Sequence, residues 1–299
     1  MGATKAADFA FEPKVWAGHV QAYFDRKLVV GQFARRDNTL TAAPGETVNY
    51  PFFKKIGDAE EPDEDSGLSV DKLQDDAFSC TVKEVAKAVG VKRRALRKSA
   101  ARREEIFTEV QNQIARVHAE KVDKDLITEM NTTGNYTAGF VAAANTDLAK
   151  ITNIAKGKIL AFGDKHDQSV AMFVHSFCYM DLITDPTAGF LKADANDPFW
   201  GMAGFMGRLL GMAMFTLDTM PEYAGGIGGK KAFYSFIIKA DPYGIITAEE
   251  PEMDQDYDLL HREHLFTGGQ YYGVKAFHGK VAADDKRICR NLFATSIDV

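Results

Sequence analysis

The feature that most constrains the fold is the segment from Lys98 to Met130, where apolar side chains recur at three- and four-residue steps. This period is that of one face of an α-helix. The apolar positions are Phe107, Val110, Ile114, Val117 or His118, Val122, Leu126 and Met130. Charged residues fill most positions between them, so we expect a helix of about 45–50 Å with one narrow buried seam. Such a rod either serves assembly or lies across a sheet in a large enzyme.

Composition describes an ordinary soluble protein. The 299 residues are 45% hydrophobic and 26% charged, and the formal net charge is −6. This length has room for two domains, and no apolar stretch is long enough to cross a bilayer. The N-terminus lacks a signal-peptide pattern, which predicts a cytoplasmic protein. The negative charge argues against a protein that coats nucleic acid with its whole surface, but it permits one face to meet nucleic acid weakly.

Motifs that would indicate catalysis do not have the required spacing. The cysteines are Cys80, Cys178 and Cys289, which are far apart and are predicted to be buried thiols. Gly225 to Lys230 departs from the phosphate-loop pattern, because a strand follows where a helix should begin. His261 and His264 would share one face of a helix, but they lack the spacing of a zinc site and an evident third ligand. The sequence therefore predicts no catalytic residue, no cofactor and no metal.

The first third of the chain has the pattern of extended structure. Residues 1–40 are predicted to form an arm, with an extended apolar segment from Leu28 to Phe33. Strand patterns from Thr47 to Ile56 and from Phe78 to Val89 predict a long hairpin over residues 45–90. Pro51 restricts the first strand to a sheet edge or a bulge. Because two strands alone are marginal in water, we expect the hairpin to lie on a neighbouring subunit.

The second half alternates helix and strand signals. Asn145 to Gly157 is predicted to be a capped helix that Gly157 ends. Ser169 to Val174 predicts a buried strand, and a helix starts at His175 or Ser176. Ala232 to Ile238 predicts the most buried strand. A charged stretch over residues 249–264 precedes a last strand, from Gln270 to Phe277.

Two runs of opposite charge lie close together in the sequence. Asp58 to Asp65 is acidic and would form the hairpin tip, whereas Lys92 to Arg103 is basic. We expect the tip to dock near the basic run of an adjacent subunit, because each run repels itself when left alone. The candidate contact residues are Asp63, Glu64, Asp65, Arg93, Arg94, Arg97 and Arg103. The alternative is a solvated tip that protects the hairpin edge from aggregation.

This order of elements resembles the major capsid proteins of tailed bacteriophages, which have the Hong-Kong-97-type fold. Four segments carry the resemblance. They are Gly45-Glu-Thr-Val-Asn-Tyr-Pro51, Val122-Asp-Lys-Asp-Leu126, Ala171 to Leu182, and Gly211 to Pro221. The first is similar to the start of that family's extended loop and the second to the end of its spine helix. The other two are similar to strands of its axial domain.

The resemblance implies an α+β fold in five segments. These are an N-terminal arm (1–40), an extended-loop hairpin (41–90), a peripheral domain with the spine helix and its sheet (91–145), an α/β axial domain (146–255), and a return to the peripheral domain (256–299).

The implied function is that of a coat protein, whose copies form hexamers and pentamers of an icosahedral shell around double-stranded DNA. The implied location is the virion capsid, assembled in the host cytoplasm, with no membrane partner. Because no removable segment precedes the arm, a separate scaffolding protein or else a scaffold-free route is expected, together with a portal. The alternatives are an encapsulin-like nanocompartment shell that packages enzymes, and a cytosolic α/β enzyme.

Overall fold

The structure is a computed structural model that describes residues 27–42, 45–53, 56, 61, 70–98, 103–185, 191–192, 197–279 and 285–298. The helices are α1 (Thr39–Ala42), α2 (Arg93–Lys98), α3 (Arg103–Asn131), α4 (Ile151–Phe162) and α5 (Ser176–Ile183). The strands are β1 (Arg35–Asp37), β2 (Thr47–Phe53), β3 (Asp75–Thr81), β4 (Lys83–Lys92), β5 (Thr137–Val141), β6 (Ser169–Val174), β7 (Leu191–Lys192), β8 (Phe205–Leu209), β9 (Met212–Thr216), β10 (Lys230–Lys239), β11 (Tyr243–Asp258), β12 (Glu263–Ala276) and β13 (Ile288–Asp298). Short 3-10 helices cover Val30–Phe33 and Gly163–Gln168. None of the helices in these ranges is long and apolar enough to span a membrane.

The larger sheet has seven strands in the order β5-β13-β10-β6-β9-β8-β7. Side chains alternate between its faces, as the two-residue period of a strand requires. Met172 and Val174 of β6 pack in the apolar layer that includes α4 and α5. Ala171 and Phe173 point the other way, into a layer shared with residues 28–30 and with α3. The sheet is therefore buried on both faces, which confirms the predicted strand at 169–174 and the helix that follows it.

The second sheet has four strands in the order β1-β11-β12-β4, and α3 packs on one of its faces. Gly268 of β12 permits this packing, because an added Cβ would lie 2.4 Å from Ile114 Cγ2. His118 of α3 is only 2% exposed, and a nitrogen of its ring lies 3.2 Å from the Gly268 carbonyl oxygen, whereas Val117 is 43% exposed. The buried seam of the long helix therefore runs through His118.

The hairpin is shorter than the sequence predicted. β2 and β3 pair from Thr47 opposite Thr81 to Phe53 opposite Asp75. The strand pattern from Phe78 to Val89 is interrupted at Val82, after which β4 pairs with β12 of the four-stranded sheet. One strand was predicted because β3 and β4 have the same two-residue alternation of apolar and polar side chains. That prediction was wrong, since the two strands belong to different sheets. Pro51 lies in the middle of a two-stranded sheet, as its predicted edge position requires.

Three other predictions need correction. The segment from Leu28 to Phe33 is a buried turn with a 3-10 helix, not an extended strand. The helix predicted to end at Gly157 runs from Ile151 to Phe162, so Gly157 lies inside it. The charged stretch over residues 249–264 forms most of β11, a turn and the start of β12. His261 lies in that turn and His264 lies in a strand, so the two histidines do not share one face of a helix. β11 also crosses the proposed boundary at residue 255, and the five-segment division remains a prediction.

Candidate assembly surfaces

The root of the hairpin is attached to its own subunit by aromatic packing. The rings of Tyr50 and Phe78 stack with centroids 5.1 Å apart, and both pack against Phe277. The Tyr50 hydroxyl also donates a hydrogen bond of 2.6 Å to Asp37 Oδ2. Burial and this bond raise the pKa of Tyr50. The tyrosine therefore stays neutral and holds the root in place.

Beyond the root, the hairpin exposes large apolar side chains. Phe53 is 65% exposed, Ile56 57%, Val70 90% and Leu73 66%. In the part of the chain that the structure describes, β2 and β3 pair only with each other. Several large exposed apolar side chains on a two-stranded extension favour an interaction site over a solvated loop.

The junction between the hairpin and β4 is fixed to the long helix by one carboxylate. Asp125 of α3 contacts Lys83 Nζ at 2.8 Å and Lys121 Nζ at 2.6 Å, and it accepts a hydrogen bond of 2.7 Å from the Tyr272 hydroxyl. This network joins α3, β4 and β12 at the point where the chain leaves the hairpin. The hairpin is therefore anchored at its base, whereas the described apolar side chains beyond the root are exposed.

The predicted arm ends in the core of its own subunit. Leu28, Val29 and Val30 are at most 8% exposed. The carboxylate of Asp123 accepts hydrogen bonds of 2.8 Å from the backbone N–H groups of Val29 and Gly31. Burial raises the pKa of Asp123 to about 6, against the effect of these bonds. Residues 28–30 therefore belong to the apolar core, and the division that assigns residues 1–40 to an arm remains a prediction.

The structure describes only part of the predicted charge contact. Arg93, Arg94 and Arg97 are exposed on α2. Arg103 is the first residue of α3, and its side chain lies outside the described part, as do Asp63, Glu64 and Asp65. The docking of the acidic tip on the basic run remains a prediction.

Sequence reasoning missed an acidic row on β11. In the pairing of β11 with β12, the acidic residues lie opposite the β12 residues whose side chains point away from α3. The acidic row therefore lies on the sheet face opposite α3. Its members are Glu249, Glu252, Asp254, Asp256 and Asp258. All but Asp258 are exposed, whereas Pro251 and Met253 point towards the core. The alternation of acidic residues from Glu252 to Asp258 is a strand period, and it was the signal that could have identified this row.

The histidine that was considered as a metal ligand lies at the turn between β11 and β12. Asp258, His261 and Glu263 have polar atoms within 4.8 Å of one another. His261 Nδ1 lies 2.5 Å from Asp258 Oδ2, and this hydrogen bond raises the pKa of the imidazole. The contact is a hydrogen-bonded turn. The three cysteines are buried thiols, and burial raises the pKa of Cys178 and Cys289 to about 12, which makes thiolate chemistry unfavourable.

Comparison with known proteins agrees with the resemblance to phage capsid proteins that the sequence shows. No protein-family model matches the chain. Over 229 residues it is 25% identical to the major capsid protein of Staphylococcus phage phiMR11, covering 77% of this chain and 79% of that protein. The fold is similar to the capsid protein of Ralstonia phage GP4, with a TM-score of 0.71 at 11% identity over 99% of this chain and 95% of the other. It is also similar to the capsid protein of cyanophage Pam1, with a TM-score of 0.66 at 12% identity over 100% and 96% of the two chains.

These similarities confirm the predicted fold class and favour neither the nanocompartment nor the enzyme interpretation. The chain is a phage coat protein that resembles the major capsid proteins of tailed phages and has their α+β capsid fold.

Proposed function

We propose that many copies of this protein form hexamers and pentamers of a closed icosahedral shell, which encloses double-stranded DNA in a virion. Assembly takes place in the host cytoplasm with a separate scaffolding protein and a portal. The observation that carries the proposal is the anchored hairpin with its exposed apolar distal surface. Self-association is supported by the similarity to capsid proteins.

The energetics of the hairpin favour contact with another subunit. Burying a large apolar side chain completely contributes roughly 1.5–3 kcal/mol. Phe53, Ile56, Val70 and Leu73 are each more than half exposed, so each has about half of that contribution still to gain. A total of several kcal/mol per hairpin, repeated at every contact of a shell, is enough to direct assembly.

The rest of the subunit supplies a rigid frame. The long helix α3 packs on the four-stranded sheet, and its C-terminal part also packs against the layer below the seven-stranded sheet. We assign α3 and the four-stranded sheet to the peripheral domain. We assign the seven-stranded sheet to the axial domain, whose loops would meet at the capsomer centres. The proposed role is structural, because the shape of the subunit and the area of its contacts direct assembly.

The test replaces Phe53 and Leu73 with serine in one chain. We expect the subunit to keep its melting temperature, because both side chains are exposed, and to fail to form shells in electron micrographs. Val117→Ser on α3 is the matched control, since it also removes an exposed apolar side chain. Normal shells from the F53S/L73S chain would contradict the proposed role of the hairpin. Purified wild-type shells that contain DNA would indicate a virion, whereas shells that contain protein cargo would indicate a nanocompartment.

A further inference from the structure

A pocket lies at the end of the seven-stranded sheet where β5 is the last strand. Its volume is about 420 Å³, within the range of about 300–1,000 Å³ that is usual for ligand sites. Strands β5, β13 and β10 and the segment before β10 contribute the lining. Val141 is 58% exposed and Tyr223 39%, so a ligand can reach the pocket from solvent.

Among the described residues that line this pocket, Arg290 is the one that carries a charge. It lies on β13, which pairs with β10 on one side and with β5 on the other. The guanidinium carbon Cζ is 3.7 Å from the ring centroid of Tyr136 and 4.4 Å from that of Tyr234. Its Nη1 donates a hydrogen bond of 2.9 Å to Asn131 Oδ1. Two rings and one hydrogen bond therefore hold the guanidinium in position without a ligand.

This guanidinium retains the capacity to bind an anion. Arg290 is half-buried, and in the described ranges no carboxylate forms an ion pair with it. A guanidinium has five N–H donors, and the bond to Asn131 uses one of them. Its planar fork can donate two parallel hydrogen bonds to a carboxylate. Because the side chain is already held in place, little conformational entropy is lost when such a group binds.

The walls of the pocket indicate which anion it takes. Val141, Ile227 and Leu292 are apolar, and the rings of Tyr223 and Tyr234 are in edge-to-face contact with centroids 6.0 Å apart. A nucleic acid backbone is bound by many cations, whereas the described lining has a single one. Tyrosine and arginine beside an apolar centre are typical of the residues that dominate protein–protein binding. The pocket therefore fits a carboxylate side chain that lies beside a large apolar side chain in a peptide.

We propose that this pocket binds a segment of a separate protein that presents aspartate or glutamate beside a large apolar side chain. The carboxylate lies on the guanidinium of Arg290, and the apolar side chain packs against Val141 and Leu292. This binding site is additional to the shell contacts of the proposed function, and it is present in a single subunit.

Charge complementarity favours a separate protein over a second copy of this chain. Asp258 and Asp298 each lie beside an exposed aliphatic side chain, as the ligand requires. Both are already bound within their own subunit, Asp258 to His261 and Asp298 to Lys230. A partner with an unengaged carboxylate does not have to break such a contact before it binds.

The experiment measures the binding of two synthetic peptides to the unassembled full-length subunit by isothermal titration calorimetry. The probes are acetyl-Ala-Phe-Glu-Leu-amide and the same peptide with glutamine in place of glutamate. We expect the glutamate peptide to bind about 10- to 100-fold more tightly, because the neutral amide cannot form the charge-assisted pair. Arg290→Lys should weaken its binding, since an ammonium group lacks the planar fork.

A matched pair of variants at the rim tests the same pocket without altering Arg290. Val141→Glu supplies a competing carboxylate and should weaken binding of the glutamate peptide about tenfold or more. Val141→Gln has nearly the same size but no charge, and it should bind within about threefold of wild type. Position 141 is exposed, so we expect equal melting temperatures for the two variants.

Several results would overturn the inference. It fails if the two peptides bind equally or neither binds, or if V141E binds the glutamate peptide as well as V141Q does. Tighter binding of a single-stranded DNA oligonucleotide, lost in V141E, would assign the pocket to nucleic acid instead. Binding only to a chain that lacks residues 1–26 would show that the chain's own arm covers the pocket. A wild-type protein that forms no shells would contradict the proposed function alone, because peptide binding is measured on the unassembled subunit.

Discussion

Among the glycines that the structure describes, Gly157, in the middle of α4, is the one where an added Cβ would lie closest to another atom. A Cβ there would lie 2.1 Å from Asn291 Oδ1 and 2.9 Å from the backbone nitrogen of Phe140. Asn291 Oδ1 already accepts a hydrogen bond of 2.8 Å from that same nitrogen. Gly157→Ala therefore cannot be accommodated unless Asn291 or the whole helix moves.

Three terms set the size of the effect. Alanine favours the helix over glycine by about 1 kcal/mol. Overpacking a tight interface costs typically about 1–3 kcal/mol. If Asn291 moves away, the partly buried N–H of Phe140 loses its acceptor, which costs about 1–3 kcal/mol more. We expect a net loss of about 1–5 kcal/mol in the free energy of unfolding, so the close contact outweighs the helix propensity.

The assay is urea unfolding of the unassembled subunit, followed by circular dichroism. Gly269→Ala is the matched control, because a Cβ at Gly269 of β12 meets no atom within 4 Å, and we expect a change of at most about 0.5 kcal/mol. In an Asn291→Ala background, Gly157→Ala should cost less than in wild type, since the clashing oxygen is gone. The reasoning is refuted if Gly157→Ala leaves the unfolding free energy unchanged or raises it.

Three further predictions concern the arm root and the hairpin junction. Because burial raises the folded pKa of Asp123 to about 6, above its ordinary value, the unfolding free energy should fall by about 2–3 kcal/mol as the pH rises from about 4 to about 6; Asp123→Asn should lack this slope in urea unfolding. Deleting residues 1–26 should leave the melting temperature unchanged and prevent shell formation, whereas deleting 1–30 should destabilise the subunit by at least about 3 kcal/mol, because residues 28–30 are buried; equal stability of both truncations would contradict this. Asp125→Ala should lower the unfolding free energy by about 1–3 kcal/mol because three donors lose their acceptor, and an unchanged value would show that the network is replaced by water.

The sequence by itself determined the elements whose burial follows one local period. The seam of α3 repeats at helical spacing over a long stretch, and the structure differs from the prediction by a few residues at its start. β6 and the helix after it were located because the strand is apolar from Val170 to Val174 and His175 accepts a capping hydrogen bond from the backbone N–H of Phe177. The position of Pro51 on an edge strand followed from its missing N–H.

Only the tertiary structure decided which segments meet. The chain from Phe78 to Val89 has one continuous alternation, yet β3 pairs within the hairpin and β4 joins a different sheet at Val82. Gly157 reads as a helix end from its backbone freedom, but it is required inside α4 because Asn291, far along the chain, occupies the space of a side chain. Local periodicity reports how much of a side chain is covered, and it does not report which partner covers it. The acidic row of β11 was found for the same reason: strand pairing with β12 places Glu252, Asp254 and Asp256 on the face of the four-stranded sheet opposite α3.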